Sequence, residues 1–585
     1  MKKKILPVIA AIAFIIVVGL FMVLGNIIEK YTPTKETKDL SVHYHVTADD
    51  EVAIIYNNEL IEDKAKFIGN IVYLSVDTIK ANINDRFYWD ANENLLRYTT
   101  ATDLVSVPAE STNYTITKDS HSSNHIIVKA DAETAYVAID FVKTYSDFAY
   151  EVYENPNRVV ITTQWGDYTT ATAKKDTEIR VLGGIKSPIL TEVAKGAELT
   201  VLVPDETWTE VITSDGIIGY VKSKLLSNTS TKTLTSDFVE EEFSHIKKDF
   251  EINMAWHQVT SRSANNNLSS VLKSVKGLNV ISPTWFYLKD TKGNIGSIAS
   301  SDYVNYCHQH GIEVWGLISN FGAKDQGLEN PDLTEILTYS SRRDNLVNNI
   351  ISNAIQYNLD GINVDFESVS PAVGDSYIQF IRELSLKCAN NGLVLSVDNY
   401  VPTAYTAFYD RAEQALFADY VVIMGYDEYY AGSEEAGPTA SIGFVTEGVA
   451  NTLKEVPADQ IILGMPFYSR VWKKTPTADS NTASTEEGSA DSYVIYDLSS
   501  YPAGMGEQKR LASANGAEPV WLEEYGLHYV EYQNGGSIYQ IWMEDTTSIE
   551  QKLKVMDSYN LAGGAFWKLG LEQSAVWDTI IKYIN

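Results

Sequence analysis

The chain has 585 residues, with 46 Lys and Arg against 77 Asp and Glu, a net charge of −31. That length exceeds a single ordinary core and implies several domains, while 44% hydrophobic and 21% charged residues exclude a disordered polymer. The charge repels a nucleic-acid backbone, so nucleic acid is not an expected partner.

The N-terminal "MKKK" precedes "ILPVIAAIAFIIVVGLFMVLGNII", an apolar run long enough for a bilayer span. Residues 1–28 are expected to anchor the chain, with Lys2, Lys3 and Lys4 cytoplasmic and everything after Glu29 on the extracellular face of a cell membrane. A cleaved secretory signal is the alternative. A polar linker, 29–48, follows.

Residues 49–165 open with strand-like runs such as "EVAIIYNN" and "NIVYLS". The segment from Tyr73 repeats without gaps from Tyr136, an offset of 136 − 73 = 63, with Asp77/Asp140, Lys80/Lys143, Asn92/Asn155, Asn94/Asn157 and Thr99/Thr162 identical. The expected unit is a strand, a short helix and a hairpin turning at "ANEN" or "ENPN". This duplicated α+β piece resembles the copper amine oxidase N-terminal-like domain. No His or Cys cluster lies in the repeats, so no metal site is expected.

Between 172 and 228, "EIRVLGGIKSPILTEVAKGAELTVLVPDETWTEVITSDGIIGYVKSKLL" alternates apolar residues with turns and reads as a small all-β barrel. Its end, with Trp208, Gly216, Gly219 and Tyr220, is similar to bacterial SH3-like domains of cell-wall hydrolases. The resemblance implies wall-peptide binding; a spacer without a ligand is the alternative. A Ser/Thr-rich linker, 229–248, leads to the C-terminal part.

Over residues 249–585, eight apolar runs alternate with amphipathic stretches: "EINMAWH", "GLNVISPTWF", "EVWGLIS", "GINVDFE", "LVLSVDN", "YVVIMGY", "QIILGMPFY" and "GGAFWKLG". This order predicts a (β/α)8 TIM barrel. "KTPTADSNTASTEEGSADS" makes a poor barrel helix and is expected as an insertion between strands seven and eight. The two cysteines, Cys307 and Cys388, fall on helices after strands two and four and are expected to be buried free thiols.

The fourth run, "DGINVDFE", puts Asn363, Asp365 and Glu367 on one strand face and Ile362, Val364 and Phe366 on the other. Buried carboxylates without cationic partners are costly, and barrel active sites lie at the C-terminal strand ends. Catalysis is the reading that accounts for both.

"DGINVDFE" resembles the D-G-x-D-x-D-x-E strand of glycoside hydrolase family 18. "MGYDEY" is similar to that family's Met-x-Tyr-Asp motif, "GMPFYSRVW" to its seventh strand and "GGAFWKLG" to its eighth. The resemblance implies a retaining, substrate-assisted glycosidase. Glu367 is the expected general acid and base, Asp365 the holder of the substrate acetamido N–H and Tyr426 the donor to its oxygen. Trp567 is the expected floor beneath the sugar, with Asp360, Asn363, Met424, Asp427, Tyr468 and Arg470 as further substrate contacts. For Tyr468 and Arg470 a structural role fits equally well. No metal or organic cofactor is required.

Asn363 departs from the usual Asp, and its amide is expected to donate to Asp365 and keep it ionised. The "NVDFE" form resembles the spore-cortex and wall-lytic glucosaminidase branch, which with the accessory modules points to peptidoglycan as partner. A chitinase, an endo-N-acetylglucosaminidase acting on glycoproteins and a non-catalytic glycan-binding protein are the alternatives.

Overall fold

A computed structural model describes residues 5–131, 134–321, 330–477 and 496–584. They divide into two compact units, one within Met1–Trp89, Val107–Tyr114 and Ser120–Glu240, the other within Asp90–Ser106, Thr115–Asp119 and Glu241–Asn585. Lys2, Lys3 and Lys4 lie outside the described residues.

The first unit begins with the helix Ile5–Tyr31. Its 27 residues extend about 40 Å at 1.5 Å per residue, and its Pro7–Tyr31 stretch is long and apolar enough to cross a membrane. The unit also holds two seven-stranded sheets. In the first sheet, Ile71–Ser75 pairs antiparallel with Ala135–Ala138, Tyr73 opposite Ala138 and Ser75 opposite Tyr136. These are equivalent positions of the sequence repeat, so a local two-fold relates the copies. Each strand runs into a short helix, Val76–Asn82 and Ile139–Thr144. The second sheet is built from Gly166–Thr172 to Ser230–Leu234, entirely antiparallel, around Ile179, Leu199, Val211 and Val221.

The second unit is a closed barrel of eight parallel strands: β1 (Ile252–His257), β2 (Val280–Leu288), β3 (Glu313–Ser319), β4 (Gly361–Asp365), β5 (Val394–Tyr400), β6 (Tyr420–Met424), β7 (Ile461–Pro466) and β8 (Gly563–Trp567). Pairing of β1 with both β2 and β8 closes the ring. Six strands fall within their expected runs, while β2 continues two residues past its run to Leu288 and β5 one residue past its run to Tyr400. Met254, Trp256, Trp315, Leu317, Val422 and Ile462 form an inner core, whereas Ile362, Val364 and Phe366 point outward into the helix layer, Phe366 stacking on Phe380 at 5.3 Å. The alternation expected for β4 is therefore present, with Asn363 fully buried on the inner face. Gly361 opens β4 because a Cβ there would stand 2.8 Å from the Val394 carbonyl oxygen and 2.9 Å from the Trp315 ring.

Between β7 and β8 lies a larger insertion than the low-complexity stretch alone suggests. Tyr468–Pro476, Tyr496–Gly504, Val520–Leu522, Leu527–Asn534 and Ser537–Met543 form an antiparallel sheet, backed by the helix Met505–Ala514. Of the predicted inserted segment, residues 478–492 lie outside the described residues. Cys307 and Cys388 are both buried and free, on the helices Ser301–Gln309 and Gly374–Asn390.

The segment Asp90–Ser106 belongs to this second unit. Its Arg97 donates to Asp344 at 2.8 and 2.7 Å and to Glu383 at 2.9 Å. Glu383 also accepts from Arg343 Nε at 3.1 Å, in a cluster where Arg343 is fully buried. Burial alone would push the Glu383 carboxyl up, but Arg343 and Arg97 outweigh it and hold the group at about 2.

Candidate active site

At the C-terminal mouth of the barrel, a cleft of about 560 Å³ is lined by Trp256, Asp365, Glu367, Asp398, Tyr400, Met424, Tyr426, Asp427, Tyr468 and Trp567. Seven of the predicted residues meet here: Glu367, Asp365, Tyr426, Met424, Asp427, Tyr468 and Trp567. They come from the ends of four strands, which explains why residues two hundred positions apart converge.

Glu367 lies just beyond β4, and its peptide is clamped from both sides by Asn320 at the end of β3. The Asn320 amide donates to the Glu367 carbonyl at 2.8 Å, and its oxygen accepts from the Glu367 N–H at 2.9 Å. The Tyr400 hydroxyl donates to Glu367 Oε2 at 2.9 Å. Burial raises the Glu367 carboxyl, the Tyr400 hydrogen bond lowers it, and the neighbouring Asp427 raises it again; the net shift is upward. Such a group keeps its proton closer to neutrality than an ordinary glutamate.

Asp365 is pushed far above the ordinary range, by burial first and then by Asp398 and Glu367. Tyr426 is held protonated, chiefly by burial. Trp256 and Trp567 pack with ring centroids 5.8 Å apart and give the cleft an apolar wall. The Tyr468 hydroxyl donates to Asp427 Oδ1 at 2.5 Å, and Arg470, outside the lining, donates from Nε to Ser500 at 2.8 Å.

Two expectations need correction. Asp360, predicted as a substrate contact, sits at the entry to β4, at the opposite end from the cleft. It accepts from His308 Nε2 at 2.7 Å and from the Val314 N–H at 2.8 Å, tying β4 to β3. Seven residues of extended chain at about 3.3 Å each separate it from Glu367. Asn363 lies beneath the cleft, and its amide does not donate to Asp365. Nδ2 donates to Ser396 Oγ at 3.0 Å and to Asp398 Oδ1 at 2.7 Å, while Oδ1 accepts from Trp256 Nε1 and Ser282 Oγ, each at 3.0 Å. Asp398, Tyr400, Asn320 and Trp256 were not singled out from the sequence. The signal for the first two was an acid and a tyrosine two residues apart at the end of a predicted barrel strand, "VDNY".

An acidic cleft with aromatic walls thus lies at the C-terminal mouth of the (β/α)8 barrel, where barrel enzymes carry their active sites. Residues 310–572 match the profile of Glycosyl hydrolases family 18, and the C-terminal barrel is a family 18 glycosidase domain. The chain is 23% identical to the glycosylase YvbX of Bacillus subtilis over 302 residues, covering 50% of this chain and 81% of that one. It is 27% identical to the cortical fragment-lytic enzyme of Bacillus subtilis over 247 residues, 41% of this chain and 53% of that one. Among solved structures, the Bacillus cereus spore cortex-lytic enzyme SleL aligns with a TM-score of 0.48 at 20% identity, over 60% of this chain and 78% of that one.

Proposed function

We propose that the protein cleaves the β-1,4 bond following N-acetylglucosamine in peptidoglycan, with retention, through participation of the substrate's own 2-acetamido group. The reading rests on one arrangement: a half-buried Glu367 whose carboxyl is shifted upward, at the cleft beside a second half-buried carboxyl, Asp365, and a protonated phenol, Tyr426. Glu367 gives its proton to the departing glycosidic oxygen and then, as carboxylate, takes one from water. The acetamido oxygen attacks the anomeric carbon and closes an oxazolinium ring. Asp365 accepts the acetamido N–H and offsets the developing positive charge, and Tyr426 donates to the acetamido oxygen. Trp567 lies under the sugar ring, and Asp427, Tyr468 and Met424 complete the walls.

Peptidoglycan is favoured over chitin by the relative named as a cortical fragment-lytic enzyme and by the resemblance of residues 172–228 to wall-binding modules. In this reading residues 1–28 hold the enzyme at the membrane, and 49–165 and 172–228 are accessory domains between the anchor and the barrel at 249–585. Progressive fluorination of the substrate acetyl group tests the mechanism, since each fluorine weakens the attacking oxygen. kcat/KM is expected to fall steeply and monotonically across the series; a flat series would refute acetamido participation.

A further inference from the structure

Asn363 and Asp398 form a matched pair that the proposed mechanism does not yet use. Strands β4 and β5 are parallel, with Gly361 opposite Val394, Asn363 opposite Ser396 and Val364 opposite Val397. Continuing that register by one residue sets Asp398 beside Asp365, on neighbouring strands about 4.8 Å apart, and both side chains line the same cleft. Asn363, one pleat below, has no capacity left. Both acceptor contacts on Oδ1 and both Nδ2 donors are in use, and one donor goes to Asp398 Oδ1 at 2.7 Å.

The titratable groups facing Asp398 are Asp365 and Glu367 from β4 and the loop after it, Tyr377 from the helix Gly374–Asn390, and Tyr426 from the end of β6. All are acids or phenols. Arg470 acts on Asp427 and Tyr468, and no cation among the described residues figures in the influences on Asp398. Two adjacent carboxyls, Asp398 buried and Asp365 half-buried, in such surroundings retain one proton between them.

We propose that Asp398 is a positioning carboxyl for the hydrolysis. It takes up the proton of the Asp365–Asp398 pair, so that Asp365 is ionised when the oxazolinium charge develops. Asn363 fixes which oxygen of Asp398 remains available by donating to the other. The proton moves from Asp365 to Asp398 on acetamido engagement and returns when the intermediate is hydrolysed, so none is gained or lost. Burial first, and then Glu367, raise Asp398 to about 8 against the lowering hydrogen bonds of Asn363 and Trp256, which agrees with a pair that holds a proton at neutrality. The inference rests on the substrate-assisted reading above.

The test is a swap in the full chain. Asn363→Asp alone sets two carboxyls against each other at 2.7 Å; Asp398→Asn alone removes the proton carrier. Each is expected to lower kcat about 100-fold with KM within about threefold, the scale of a lost acid–base group, and to displace the acid limb of the pH profile. The double variant Asn363→Asp/Asp398→Asn reverses the hydrogen bond and returns a carboxyl to the pair, so it is expected to recover to within about tenfold of the parent. A double variant as impaired as the product of the two singles overturns the proposal, as does an Asp398→Asn profile identical to the parent's.

An infrared titration of the carboxyl C=O band reads the pair without turnover. A protonated carboxyl present at pH 7 in the parent and lost in Asp398→Asn is expected; a band unchanged by that substitution overturns the proposal. If the parent cleaves no N-acetylglucosamine glycan, the functional reading fails, yet the infrared result still decides the pairing.

Discussion

Removal of one hydrogen bond at Glu367 should move the pH profile in a direction that the structure fixes. The Tyr400 hydroxyl donates to Glu367 Oε2 at 2.9 Å and favours the ionised carboxylate, so it holds the Glu367 carboxyl below the level that burial and Asp427 would set. Tyr400→Phe deletes the donor with little change of shape. A hydrogen bond to a charged group is worth about 1.5–3 kcal/mol, or roughly one to two pH units at 1.36 kcal/mol per unit. Tyr400 is only half-buried, and water replaces part of what is lost, so a shift of about one unit is expected.

The sign follows from the chemistry. In the proposed mechanism Glu367 must be protonated to release the leaving group, and kcat/KM reports the free enzyme up to the first irreversible step, so its alkaline limb is expected to follow this group. Losing Tyr400 raises the Glu367 carboxyl and moves that limb to higher pH. The measurement is kcat/KM from pH 4 to 10 on a soluble N-acetylglucosamine oligomer, read by new reducing ends. An alkaline limb that stays in place or moves to lower pH would refute the assignment of Glu367 as the acid held by Tyr400.

Other consequences concern the supports of the site. Asn320→Ala frees both sides of the Glu367 peptide and is expected to lower kcat about 10- to 100-fold with KM nearly unchanged, as steady-state kinetics would show; a KM effect alone would mean that Asn320 serves binding. Glu383→Gln leaves Arg343 and Arg97 buried against a neutral group, a loss of about 3–5 kcal/mol and a fall of about 5–10 °C in the melting transition of the barrel, measured by calorimetry. Because Glu383 is held at about 2, below its usual value, its contribution is full above the ordinary glutamate range. It is lost as pH falls through that range toward 2, so the parent and variant melting curves should converge in acid.

Much of the barrel was readable because its strands are short apolar runs between glycines and polar turns, as in "DGINVDFE" and "GGAFWKLG". The two-residue period assigned Asn363, Asp365 and Glu367 to the inner face. What the pattern could not carry was depth along the barrel axis. Asp360 belongs to the same motif, yet it sits at the entry to β4, bonded to the Val314 N–H of β3, because a motif written as one string runs the whole length of the strand. Partners contributed by another strand were equally hidden: nothing within "LSVDNY" marks Asp398 as the acceptor for Asn363, since that contact depends on the β4–β5 register. The insertion was only partly legible. Its hairpin closes at "QNGGS", a signal that the strand reading passed over, where Gly535 and Gly536 both take positive φ, 59° and 79°, between Leu527–Asn534 and Ser537–Met543, the turn chemistry of two-residue hairpins.

The central claim is that Glu367 drives cleavage after N-acetylglucosamine in wall glycan. It is tested most directly by digesting purified peptidoglycan with the full chain in detergent, beside Glu367→Gln, and identifying the new reducing ends by mass spectrometry. The account predicts N-acetylglucosamine ends from the parent and a loss of at least about 100-fold in the variant. N-acetylmuramic acid ends, undiminished cleavage by Glu367→Gln, or cutting confined to chitin would contradict it.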